Sequence, residues 1–243
     1  SFDLLYGLPG DNLESFRETI NFGLNLSSRK LYFSNLILLP GTDYWDKREE
    51  FGFKYGQLIP HVVASNNTYS KDDMEKSREL VIWVLHLLYF PAIRDMIYEM
   101  TETNPKLKRI DLLEEYREIM ERQVNPIAGI DLNLLSVEGN NQARRKVFYR
   151  FSQPDVCLIS YDSALELLET HQMSHMESLN RPILLGRRYY RTVCEKNEVE
   201  AEKSILKECI ASGLEKVTYK WRVPRFLETN SDDEIPVKVE TLA

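Results

Sequence analysis

The sequence predicts an α/β chain in which two successive βα units lead into a helical segment and then a small α+β region. Three observations carry this reading. Residues 2–6 and 31–39 are short apolar runs, each closed by a Pro-Gly turn, Leu8-Pro9-Gly10 and Leu39-Pro40-Gly41, with a helical pattern between them. That order is strand, turn, helix, strand, turn, helix, as in a parallel sheet. Residues 67–125 carry long apolar stripes at helical spacing, and from Gly129 onward the apolar runs shorten and alternate. The predicted divisions are 1–66, 67–125 and 126–243.

In the first helix, Asp11 with Glu14 three residues on reads as a capping box. Leu13, Phe16, Ile20 and Leu24 recur at steps of three and four, the stripe of a helix laid on a sheet. Gly7 and Gly10 permit backbone angles that other residues avoid. Both Pro-Gly turns follow the C-terminal end of a strand and so share one rim, the rim at which open α/β sheets and barrels bind ligands. The first strand begins at residue 2, and its outer edge needs a partner. With Ser at position 1, this leads to the expectation of the C-terminal part of a longer protein, or one half of a split one.

Residues 57–67 read as a connector. Ser70, with Asp73 three residues on, is placed to cap a helix whose apolar residues include Met74, Val81, Leu85 and Leu88. Leu80, Val84 and Leu87 widen that stripe until the helix is apolar on most sides, which predicts burial between layers, and Pro91 should kink or end it. His86 within this face reads as a core histidine with one hydrogen bond satisfied. Asp111, with Glu114, opens another helix, closed by Asn125-Pro126. Beyond it, residues 130–134, 147–151, 156–160 and 217–223 read as strands. Residues 162–168 and 198–212 read as helices, and the tail from Glu228 as frayed.

Composition narrows the function. A net charge of −7 argues against a nucleic-acid surface, and the apolar run over 80–93 is short of the ~20 residues a membrane span needs. Cys157, Cys194 and Cys209 follow no pairing or metal pattern, which suits a reducing cytoplasm. His171 and His175 stand four apart, a helical metal-pair spacing, but no third ligand follows at a telling distance. Arg144-Arg145-Lys146 and Arg187-Arg188-Tyr189-Tyr190-Arg191 combine basic and aromatic residues in the manner of phosphate or single-strand binders, although solvated faces paired with acids account for them better. No Ser-elbow, phosphate-binding Gly-Lys loop or His-Glu-x-x-His is present.

Residues 3–16, DLLYGLPGDNLESF, resemble the fifth strand and following helix of radical S-adenosylmethionine (SAM) enzymes, in the coproporphyrinogen-oxidase and cobalamin-binding-domain types. Residues 36–55, LILLPGTDYWDKREEFGFKY, are similar to the sixth strand and its exit in the cobalamin-domain group. The resemblance covers about the first quarter of the chain and implies the last two βα units of a partial (β/α)6 barrel. It further implies that Asp3 contacts the SAM ribose. Tyr6, Gly7, Leu8, Pro9 and Gly10, with Leu38, Leu39, Pro40 and Gly41, would surround the adenine and methionine. Asn12 stands where the family usually has Thr, and no role is assigned to it.

The departure from the family concerns its metal. Such enzymes hold a 4Fe–4S cluster through CxxxCxxC, because iron–sulfur clusters need thiolate ligands, and this sequence has no such triplet. The resemblance therefore implies that the cluster, and any cobalamin, are held outside this chain, which alone would be inactive. In the whole enzyme SAM would be cleaved to a 5′-deoxyadenosyl radical acting on a small-molecule substrate, with the rest of the polypeptide or a separate subunit completing the barrel. Two alternatives stay open: a non-catalytic partner or degenerate barrel half that binds a complete subunit, and an unrelated α/β module holding another nucleotide.

Overall fold

A computed structural model describes residues 2–26, 31–57, 59–130, 132 and 141–211, with main chain only for 141–144 and 206–211. Strand β1 (Phe2–Tyr6) and strand β2 (Leu31–Asn35) pair in parallel, in the register Phe2↔Leu31 to Tyr6↔Asn35. Helix α1 (Leu13–Asn25) crosses between them, and its Phe16, Ile20, Gly23 and Leu24 are buried. Its N-cap is Asn12, not Asp11. The Asn12 side chain accepts from Ser15 N–H while the Ser15 hydroxyl accepts from Asn12 N–H. Ser at the third position thus closes the box that Glu14 was expected to close, one residue further on.

The run over 31–39 is not one strand. At Leu36 the chain changes partners: Leu36 N–H donates to Tyr6 O, extending the parallel ladder, and Leu36 O accepts from Val63 N–H. Strand β3 (Ile37–Leu38) then pairs antiparallel with β5 (His61–Ser65), which also pairs antiparallel with β4 (Lys54–Tyr55). Residues 61–65, read from sequence as connector, are therefore a strand. A four-residue helix, α2 (Asp43–Asp46), follows the second Pro-Gly turn with Thr42 as its cap. The fold is mixed α/β, and no closed barrel forms among the described residues.

Helix α3 (Lys71–Tyr89) is capped by Ser70, whose hydroxyl accepts from Asp73 N–H. Pro91 begins α4 (Pro91–Thr103), and the two helices meet at 100° across Phe90. A proline is tolerated in the first turn but not inside the helix, so the apolar run bends where the sequence indicated. No single described helix is long and apolar enough to cross a membrane. Helix α5 (Arg109–Glu121) is clamped to α1: Arg17 pairs with Glu14, Asp111 and Glu114, Lys108 with Glu18 at 2.7 Å, and Arg109 Nη1 donates to Leu24 O at 2.6 Å. Asp111 lies in the first turn, two residues after the helix begins, and Lys108 holds the cap position.

The rest of the described chain is helical: α6 (Asn141–Phe151), α7 (Pro154–Thr170), α8 (Glu177–Glu195) and α9 (Glu198–Ala211). This corrects the α+β reading, since 147–151 and 156–160 are helix. Five-residue windows conceal the longer period. Val156, Cys157, Ser160, Tyr161, Ala164, Leu167 and Leu168 are all buried at helical spacing, and Pro154 starts α7 where it was read as flanking a strand. The helix read over 162–168 lies in the second half of α7. Most of the expected strand at 130–134, all of that at 217–223, and the tail lie outside the described residues.

The helical core centres on Trp83, Tyr116, Tyr161 and Phe90, all nearly or fully buried. His86 sits among them, stacked on Phe151 at 4.2 Å between ring centres, with Nε2 3.1 Å from Tyr116 Oη and Nδ1 unpartnered. Burial lowers its pKa to about 3, so it is a neutral core histidine.

Candidate functional site

The two Pro-Gly loops are the same turn built twice. Asp11 N–H donates to Leu8 O, and Thr42 N–H to Leu39 O, both at 3.2 Å. Pro9 and Pro40 take the second position, and Gly10 and Gly41 the third, with φ of 86° and 85°. That is the type II arrangement, which Pro pre-sets and whose positive φ favours glycine. A Cβ at Gly10 or Gly41 would meet nothing within 4 Å, so both tips face open space. Gly7, also at φ 86°, is different: a Cβ there would lie 3.0 Å from the Met74 methyl and 3.4 Å from Asn35 Oδ1.

The first loop is stitched down by a segment the sequence presented as a plain connector. Asn66 Nδ2 donates to Gly7 O at 2.9 Å, and Gly10 N–H to Thr68 Oγ1 at 2.8 Å. Asn67 reaches the other way, donating through Nδ2 to Glu50 O at 2.9 Å. Residues 66–68 therefore hold the rim of the parallel pair to the loop that follows α2. The signal was the run Asn66-Asn67-Thr68 itself, side chains that bond readily to backbone in turns.

The faces of β1 and β2 differ sharply. Leu4 and Tyr6 are buried on the α1 side, Tyr6 with its ring 5.0 Å from Phe16, and Asn35 is buried at the end of the neighbouring strand. On the opposite face Asp3, Leu5, Tyr32 and Ser34 are exposed, with Leu5 at 39% and Tyr32 at 53%. The register sets Asp3 beside Tyr32 and Leu5 beside Ser34. Among the described residues nothing pairs with the outer edge of β1. A parallel sheet normally has both faces covered, so an exposed face and an open edge side by side are unusual.

The candidate residues therefore divide. Asp3, near the start of β1, is exposed, as are Gly10, Leu39, Pro40 and Gly41 in the turns after β1 and β3, and Leu8 and Pro9 are half-buried. Tyr6, Gly7 and Leu38 are buried, and the Tyr6 carbonyl is already engaged by Leu36. Tyr32 and Ser34 belong with the exposed set and were missed. Pairing the two runs in parallel and applying the two-residue side-chain period would have found them.

Most members of the other clusters have structural roles. His171 is the C-cap of α7, its Nε2 2.7 Å from Glu115 Oε2, and His175 lies in the turn beyond, so the two do not share a helix face. Among the described residues no group of three or more His, Cys, Asp or Glu is arranged to hold a metal ion. Burial pushes the Cys157 thiol far up, which keeps it protonated and unsuited to ligation. Tyr189 and Tyr190 are buried and Arg187 pairs with Asp162, so no aromatic platform for bases stands beside these arginines.

No family model, curated protein or solved structure matches this chain.

Proposed function

We propose that this chain contributes part of the SAM-binding wall of a radical SAM enzyme, of the cobalamin-binding-domain type its first quarter resembles. One observation carries the reading: the parallel pair β1 and β2 keeps one face that nothing covers among the described residues, and the chain makes the same Pro-Gly turn after β1 and again after β3. In a barrel the helices lie outside, so the face opposite α1 would be the inner wall.

SAM suits the residues on that face. The Asp3 carboxylate can accept from ribose hydroxyls. Leu5, Tyr32 and Leu39 offer apolar surface to the adenine, and the open tips at Gly10 and Gly41 admit close approach of a ligand to main chain. Tyr6, Gly7 and Leu38 support this wall from behind. When bound and cleaved, SAM supplies the hydrogen-abstracting group; this chain's part is to orient it and keep water from that side. An iron–sulfur cluster does not fit the donors described here, and neither it nor cobalamin is assigned to this chain.

The test is anaerobic reduction of the native protein with SAM, reading 5′-deoxyadenosine. Cleavage is expected, with Asp3→Ala and Tyr32→Ala each lowering it about tenfold, the loss of roughly 1.4 kcal/mol of binding or positioning. No cleavage with an intact cluster and reductant present would overturn the enzyme reading and leave a non-catalytic partner. Cleavage unaffected by either substitution would overturn the assignment of this face.

A further inference from the structure

The first Pro-Gly loop hangs on one side chain that stands outside the wall itself. At the start of the loop, Asn66 Nδ2 donates to Gly7 O at 2.9 Å. At its far end Gly10 N–H donates to Thr68 Oγ1 at 2.8 Å, and that hydroxyl donates to Asn66 Oδ1 at 3.1 Å. Both ends of the loop from Gly7 to Gly10 therefore meet at a single amide.

The amide is itself held. Asn66 Oδ1 also accepts from Thr68 N–H and Tyr69 N–H, both at 2.9 Å, and Asn66 N–H donates to Tyr69 O at 2.9 Å. Tyr69 is fully buried, its hydroxyl 2.5 Å from Ser77 Oγ on α3. The helical layer thus reaches the loop through Tyr69, Asn66 and Thr68. With two backbone donors on Oδ1, Nδ2 must face the Gly7 carbonyl, so the amide has one orientation. Asp at this position would keep the acceptor and lose the donor, setting an oxygen against Gly7 O.

We propose that Asn66 is a positioning residue for the ligand site on this wall: it sets where Leu8, Pro9 and Gly10 stand, and so how SAM meets them. This rests on the SAM reading, and Asn66 acts through the loop without touching the ligand. A loop held in place beforehand spares the ordering that binding would otherwise require.

The test is equilibrium SAM binding by the native protein, measured beside its denaturant unfolding. Asn66→Asp should weaken binding about tenfold and Thr68→Val about fivefold, while Thr68→Ser, which keeps the hydroxyl, shifts it less than about twofold. Asn67→Ala is the control. It removes a bond of the same 2.9 Å from the same segment, directed to Glu50 O, and should shift affinity less than about twofold. A merely structural role predicts instead that affinity follows stability across these variants. That pattern, or Asn66→Asp binding within about twofold of wild type, would overturn the positioning role and leave SAM binding intact. No SAM binding by the wild-type protein would overturn the functional reading, and the positioning role with it.

Discussion

The sheet and the helical layer of this protein treat their apolar residues in opposite ways. In α3 to α8 the large side chains turn inward, and those left in solvent, such as Tyr149 and Leu184, stand singly on separate helices. Scattered exposure of that kind is ordinary. On β1 and β2, Leu5 and Tyr32 share one uncovered face, next to an open strand edge and two outward-facing turns. The helical layer is finished against itself and against the outer side of α1, where Arg17, Lys108 and Arg109 clamp it. The face of β1 and β2 opposite α1 is covered by nothing among the described residues. Where a fold leaves apolar surface in one continuous place, that place is the first candidate for contact with something else.

The contrast can be broken most forcefully in the helical core. Trp83→Ala, at a fully buried position with Phe151 5.3 Å away, should cost about 3–5 kcal/mol in denaturant unfolding. A cost below ~1 kcal/mol would mean that the helical layer is not the tightly packed half. The next largest effect is that of His86 with pH. Its pKa is depressed to about 3 in the fold, so the folded state holds it neutral while the unfolded chain takes up a proton near its ordinary value of 6.5. Its contribution is complete above pH 6.5 and is lost as pH falls toward 3, at up to about 1.4 kcal/mol per pH unit. Relative to His86→Phe, the wild-type chain should therefore lose roughly 2–3 kcal/mol between pH 6.5 and 4.5, and parallel pH profiles would sink this. The smallest effect belongs to the sheet: Leu5→Ser with Tyr32→Ser should change the stability of the chain by about 1 kcal/mol or less, because Leu5 is 39% and Tyr32 53% exposed. A large loss would show that the face is already covered.

How legible this was in the sequence depended on the reach of the signal. Local signals survived: the Pro-Gly turns, the Ser70 cap, the bend at Pro91 and the buried His86 all follow from a few neighbouring residues. Long-range pairing did not. Nothing near Leu36 announces that the chain leaves one strand partner for another, or that 61–65 is the strand it meets. The error over 147–160 came from window length, since five apolar-rich residues suit strand or helix alike until the spacing from Val156 to Leu168 is counted.

The most direct test of the uncovered face is hydroxyl-radical footprinting of Leu5 and Tyr32, read by mass spectrometry, in the native protein purified from its source and in this chain alone. Both side chains should be modified readily in the chain alone and at least fivefold less in the native protein, with Tyr149 on α6 unchanged as the reference. Equal modification in the two would mean that the face meets solvent in both, and would contradict the proposal that it is an interior wall.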